Sequence, residues 1–358
     1  MDIIEAKQSA INLLKTLITI PSYSREEVDL ADYLQAYIES QGYNTGRIGN
    51  NVWIIGPDFD HSKPTLLLNS HIDTVKPSAG WELNPHAANL DNGRLYGLGS
   101  NDAGASLVSL LHVFFLLTQK SQPYNLIFAA SAEEETSGKN GMELLLKELP
   151  KLDFAVVGEP TGMQMAIAEK GLMVVDCIAH GKSGHAARNE GVNAIYLAMK
   201  DVEWIQNAKL PLISDFLGPV KMTVTMIHAG TQHNVVPDEC SFVIDVRTNE
   251  HYSNQEVFGI LEDNLKSEIK ARSFRLTSSG ISPEKDIVKR GIELGLSCYG
   301  SPTLSDQDFM HFPSMKIGPG ESSRSHTADE YIELQEIERG IDIYMQLLDG
   351  LVIEHFKE

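Results

Sequence analysis

Two histidines and a group of carboxylates stand where apolar runs give way to Gly, Ser or Pro. They fall in five motifs: His71-Ile72-Asp73, Asn101-Asp102, Glu133-Glu134-Glu135, Gly158-Glu159-Pro160 and Ser325-His326-Thr327. Imidazoles and carboxylates converging on one spot suit zinc or a similar divalent cation. A cation there points first to hydrolysis. Each motif alone also has a plain reading. His71 can be a satisfied structural histidine, with Asp73 or another carboxylate orienting its ring if it binds metal. Asp102 can be a helix N-cap or, through its two oxygens, a bridge between metals. Three adjacent glutamates repel one another and ordinarily stay in solvent. Inside a cleft, a cation or a raised pKa must compensate them, and one could bind metal while its neighbour acts as general base. Glu159 and His326 are individually ordinary turn and loop residues.

The elements that must position these residues alternate between helix and strand. Residues 3–19 have helical apolar spacing, ended by Pro21. Ser24-x-x-Glu27 has the form of a capping box for a helix through Tyr37. Strands are expected at 52–55, 65–69, 125–130 and 154–157, with helices at 105–117 and 141–149. Short apolar strands between helices indicate an α/β domain with a mixed, mostly parallel sheet, and sites in such sheets form beyond the strands' carboxyl ends. The middle of the chain reads strand 171–179, helix 192–205, strands 221–228 and 241–247, helix 256–269 and strand 273–277. That β-α-β-β-α-β order is ferredoxin-like. Helix 286–296, strand 315–317 and helix 334–351 follow. The expected division is a catalytic domain at 1–163 and 279–358, interrupted by an inserted α+β domain at 164–278.

The chain has 358 residues, 42% hydrophobic and 22% charged, enough for a sizeable core. Its formal net charge of −20, from 29 basic and 49 acidic residues, argues against nucleic acid and against anionic membrane surfaces as partners. The longest apolar stretch, near 107–117, contains His112 and reads as a buried helix, not a membrane span. Cys177, Cys240 and Cys298 are widely spaced, so a disulfide framework is not expected and a reducing cytoplasm fits. The first residues show no signal-peptide pattern.

Taken together, the motifs resemble those of the di-zinc aminoacylase and carboxypeptidase family that includes acetylornithine deacetylase and succinyl-diaminopimelate desuccinylase. The resemblance rests on 70–75, 97–104, 132–137, 157–161 and 325–330, and extends over nearly the whole chain. It implies a zinc-peptidase-like catalytic domain with an inserted ferredoxin-like dimerisation domain. It also implies two Zn ions, with Co or Mn as substitutes. His71 and Glu159 would hold one ion and Glu135 and His326 the other, with Asp102 bridging, Glu134 as general base and a cis peptide after Asp102. The family often has Asp-Glu-Glu where this chain has Glu133-Glu134-Glu135, and Leu98 and Ala103 replace basic residues usual there. In the inserted domain, the resemblance makes His185, after Gly184, a contact to the substrate carbonyl, often in the partner subunit's site. Asn234 would contact substrate and Arg247 would grip a substrate carboxylate, for which a planar guanidinium is suited. His185 is otherwise an exposed loop histidine, and Arg247 a surface salt-bridge residue. Asp306 could read a cationic δ-amine or cap the following turn, and Gly318-Pro319-Gly320 could shape the pocket floor. The expected substrate is a small N-acyl amino acid, with N-acetylornithine or N-succinylornithine in arginine biosynthesis leading. Acetylcitrulline, succinyl-diaminopimelate and dipeptides are alternatives, as is a metal-free binding protein on the same fold. A homodimer through the inserted domain is the expected assembly.

Overall fold

Leu66, Leu67 and Leu68 are wholly buried in the strand Thr65–His71, and Asn125–Ser131 is buried at every position. Continuous rather than alternating burial means that the sheet is covered on both faces. Each such leucine stabilises the fold by about 1.5–3 kcal/mol relative to exposure. These strands belong to the larger of two compact units of the computed structural model, which describes residues 1–188 and 190–356. That unit comprises 1–167, 280–299 and 305–358; the other comprises 168–279 with 300–304.

The sheet of the larger unit runs Thr45–Ile48, Asn51–Ile55, Asn125–Ser131, Thr65–His71, Phe154–Val157, Ser314–Lys316 along most of its width. The last four of these pair in parallel. The helices Ile3–Ile18, Ala105–Leu117 and Leu334–Leu348 contribute to its hydrophobic core. Ala105–Leu117 is buried at all but one position, His112 included, so its apolar length serves the core. The His112 Nδ1 donates to the Val108 carbonyl and its Nε2 meets Tyr37 Oη at 3.1 Å, while burial pushes its pKa down to about 4.

The smaller unit has the β-α-β-β-α-β order. Its antiparallel sheet runs Lys221–Ala229, Glu239–Thr248, Gly171–His180, Glu268–Ala271, with helices Ala194–Asn207 and Asn254–Asn264. Gly171–His180 alternates buried and half-buried residues, as a sheet with one packed face requires.

Three local expectations are corrected. Ser24 and Glu27 form no capping box: Ser24 donates to Asp73, and Glu27 accepts from Asn50 Nδ2 at 2.8 Å. The helix expected at 141–149 is regular only over Met142–Leu145. The helix expected at 256–269 ends at Asn264, because the Asp201 carboxylate takes the backbone N–H of Lys266 and Ser267. The last strand therefore comes earlier than 273–277.

Candidate metal centre

Parallel register brings the donors to one level. His71 lies opposite Ser131, and Asn69 opposite Val157. The chain thus leaves three neighbouring strands at the same sheet end, through Asp73, the 133–135 glutamates and Glu159.

His71 is 1% exposed. Its Nδ1 donates to the Asp73 backbone carbonyl at 2.8 Å, which turns Nε2 towards the carboxylates. Nε2 lies 3.3 Å from Asp102 Oδ1 and 3.8 Å from Glu159 Oε1. The Asp73 carboxylate, whose Oδ1 lies 3.6 Å from His71 Nδ1, has a further task. Its Oδ1 accepts the Glu134 N–H at 2.9 Å and its Oδ2 the Glu135 N–H at 3.1 Å, with Ser24 Oγ donating at 2.7 Å. One residue thus orients the His71 ring through its backbone and seats the two glutamates through its side chain.

Glu133 adopts φ 55°, and its carboxylate accepts from Asn140 Nδ2 at 2.8 Å. Glu134 and Glu135 then start the short turn Glu134–Thr136. Asp102 sits in the turn Ser100–Gly104, and the Asp102–Ala103 peptide is cis. Its Oδ2 lies 3.7 Å from His326 Nε2, which meets Glu135 Oε2 at 2.8 Å. Asp102 therefore offers one oxygen towards each histidine.

The donor set fits a pair of divalent cations. Ligand atoms of His71, Glu134 and Glu159 lie within 4.8 Å of one another, as do those of His71, Asp102 and Glu135. Electrostatics agree. Burial raises the Glu134 carboxyl well above its ordinary range, and the charges of Glu159, Asp306 and Glu135 add to this against the opposing pull of His71. Burial likewise pushes Glu159 up to about 8, with Asp102 and Glu135 contributing. His326 is pushed up to about 9, chiefly by its hydrogen bond to Glu135. Acids that hold protons and a histidine that stays charged mark a site short of positive charge. Two imidazoles among carboxylates form the mixed N/O set that suits zinc and its first-row neighbours.

A family model for "Peptidase family M20/M25/M40" matches residues 67–350, which include every donor above. The chain belongs to this family. It is accordingly a hydrolase. The succinyl-diaminopimelate desuccinylase of Wolinella succinogenes is 27% identical, over 93% of this chain and 97% of its own. The acetylornithine deacetylase of Aliivibrio fischeri is 27% identical, over 79% of this chain and 80% of its own. The Bacillus subtilis YXEP protein, a dinuclear metal binding peptidase, shares the fold with a TM-score of 0.70 at 16% identity, covering 96% of this chain and 98% of its own.

Other side chains of this M20/M25/M40 chain revise the expectations for substrate contacts. Asp306 is 2% exposed, accepts a hydrogen bond from Ser131 Oγ, and has its carboxyl pushed up to about 6, mainly by burial. The carboxylate is thus enclosed, with Ser131 as its hydrogen-bond donor. Gly318 packs closely behind Glu159: a Cβ there would collide with Ser106 Oγ and the Glu159 backbone. In the smaller unit, Gly184–His185 pairs with Val235–Val236, which aligns His185 beside the Asn234 segment. The His185 Nδ1 accepts the Ala187 N–H at 3.1 Å, and the ring is exposed. Arg247 makes a two-point pair with Asp245, at 2.8 and 3.1 Å. One edge of the guanidinium is thus engaged within the same strand.

Two residues beside the centre lie in the sequence motifs but were given no role there. Glu330 accepts backbone N–H groups of Gly99, Asn101 and Asp102, and Asn101 hydrogen-bonds the Glu321 backbone at both its N–H and its carbonyl. Nothing in a polar loop glutamate or an Asn before Asp marks such roles, since their partners lie more than two hundred residues away in sequence.

Proposed function

We propose that the enzyme hydrolyses the linear amide of an N-acyl amino acid, with N-acetylornithine or N-succinylornithine, as in arginine biosynthesis, the leading substrates. The observation that carries this reading is Asp102 standing between His71, with Glu159, on one side and His326, with Glu135, on the other, while Glu134 lies beside His71 and Glu159. His71 and Glu159 would hold one Zn ion, Glu135 and His326 the other, and Asp102 both. When bound, the two cations supply Lewis acidity to the acyl oxygen and acidity to the attacking water. Glu134 takes the proton from that water and passes it to the leaving amine. Asp73 keeps Glu134 and Glu135 in place through their backbone N–H groups, and the Asp73 carbonyl holds the His71 ring. His185 stabilises the developing oxyanion. Asn234 contacts the substrate, and Arg247 binds its carboxylate once released from Asp245.

Desuccinylation of a diamino acid is the second reading, supported by the Wolinella succinyl-diaminopimelate desuccinylase, which aligns along 97% of its length. A substrate panel decides between them. The zinc-loaded enzyme should turn over N-acetylornithine or N-succinylornithine with the highest kcat/KM, ahead of N-acetylcitrulline, N-succinyl-diaminopimelate and dipeptides. A preference for N-succinyl-diaminopimelate would replace the first reading with the second. Dipeptide cleavage alone would overturn both.

We also propose a homodimer through the smaller unit, working in a reducing cytoplasm, which the three free cysteines support. The edge strand Lys221–Ala229 carries exposed Met226 and Ile227, and the helix Ala194–Asn207 carries exposed Tyr196 and Met199. An open strand edge with apolar residues is suited to an isologous two-fold contact. If His185 serves the partner subunit's site, mixed dimers of His185→Ala and Glu134→Ala protomers regain activity, because one of their two sites keeps both residues. Verified mixed dimers without activity would overturn the shared site.

A further inference from the structure

Asp102 can serve two ligand groups only if its oxygens are spread between two histidines, and two clasps fix that spread. Glu330, 2% exposed, accepts the N–H groups of Asn101 and Asp102 on Oε1 at 2.8 and 2.9 Å, and that of Gly99 on Oε2 at 3.0 Å. Its backbone carbonyl accepts the Gly97 N–H at 3.0 Å. One side chain thus gathers three donors of the segment 99–102, which presents Asp102. The second clasp runs the opposite way. Asn101, fully buried, accepts the Glu321 N–H on Oδ1 at 2.9 Å, and donates from Nδ2 to the Glu321 carbonyl at 3.1 Å and to Ser325 Oγ at 3.5 Å. Both clasps join the Asp102 turn to 321–330, the stretch that carries His326. The first ligand pair, His71 and Glu159, is carried by neighbouring sheet strands and does not depend on this junction.

We propose that Glu330 is a positioning residue, seconded by Asn101, that directs the Asp102 Oδ2 towards His326 and so builds the second metal position selectively. The inference rests on the two-cation reading above. The geometry makes it specific to the carboxylate. A glutamine at 330 would put an NH2 group where one oxygen now accepts, setting donor against donor at Gly99 or at the Asn101–Asp102 pair. Outer partners of this kind typically govern metal affinity by 10–100-fold.

The test is zinc titration of chelator-treated protein by calorimetry, with cobalt absorption spectra as a coordination-sensitive readout that needs no turnover. Wild-type protein should take up two ions; uptake of fewer would overturn the two-cation reading itself. Glu330→Gln should keep the tighter ion within a few-fold and weaken the other by about 10-fold or more, with the cobalt spectrum reduced to that of a single site. Asn101→Ala, which leaves the Glu330 clasp in place, should weaken the same ion by a smaller factor, and it decides the matter should Glu330→Gln fail to fold. Two ions at wild-type affinity in the variants, or equal weakening of both together with a lower Tm, would overturn the inference and reduce the clasps to support of the fold.

Discussion

Replacing Glu134 with alanine should lower kcat by a factor of about 10²–10⁴ while the protein keeps its full metal content. The asymmetry follows from how the turn is built. The Glu134 backbone is held by Asp73 Oδ1 and the Glu135 backbone by Asp73 Oδ2, so truncating the Glu134 side chain leaves the Glu135 seat intact. Glu135 pairs with His326, and Glu134 stands with His71 and Glu159. Burial, first, and the neighbouring carboxylates raise the Glu134 pKa, which is the direction a general base needs to work near neutrality. Glu135→Ala, by contrast, removes a ligand and should lose metal and turnover together. Steady-state kinetics beside elemental analysis of the two variants make the check. Near-normal turnover of Glu134→Ala would sink the base assignment, and loss of an ion from it would recast Glu134 as a ligand.

The donors were readable in the sequence because their types are restrictive and because apolar strands in an α/β pattern end on one side. Parallel pairing does the rest: once Thr65–His71, Asn125–Ser131 and Phe154–Val157 are neighbours, the residues just beyond them must meet. The resemblance assigned separate duties to Glu134 and Glu135, but their directions depend on a backbone sign change at Glu133, whose φ of 55° no composition signals. Asp73 was readable as a helper of His71, but its carboxylate also takes two amides whose position only the turn determines. Glu330 and Asn101 were given no role for a common reason. Each acts through a partner distant in the chain, and a polar residue in a loop looks the same whether water or a buried N–H is waiting for it. Ser24 and Glu27 show the converse: a pattern that reads as a local cap was used for long-range contacts with Asp73 and Asn50.

Stripping the metal should abolish turnover and turn the protein into one whose stability falls as pH rises. In the metal-free fold Glu159 titrates at about 8 instead of 4.5, through burial first and then the Asp102 and Glu135 charges. Asp306 is raised by burial to about 6, and His326 to about 9 by its bond to Glu135. All three shifts have one sign: the folded chain binds protons that the unfolded chain has released. Stability therefore declines wherever the unfolded state holds fewer protons. Asp306 contributes that decline from about 4 to about 6, Glu159 from about 4.5 to about 8, and His326 from about 6.5 to about 9. This is opposite to the ordinary ion-paired carboxylate, which loses stability on acidification. Bound cations replace those protons, so uptake of metal near neutrality should release protons and flatten the slope. Saturation to a thousand times Kd adds about 4 kcal/mol to the fold, whatever the pH at which that saturation is reached. Thermal unfolding from pH 5 to 9, with chelator and with zinc, reads both effects, and calorimetry in buffers of different ionisation enthalpy counts the protons. Equal pH slopes with and without metal, or uptake with no proton release, would show that the crowded acids in this cleft are compensated by something other than the cations.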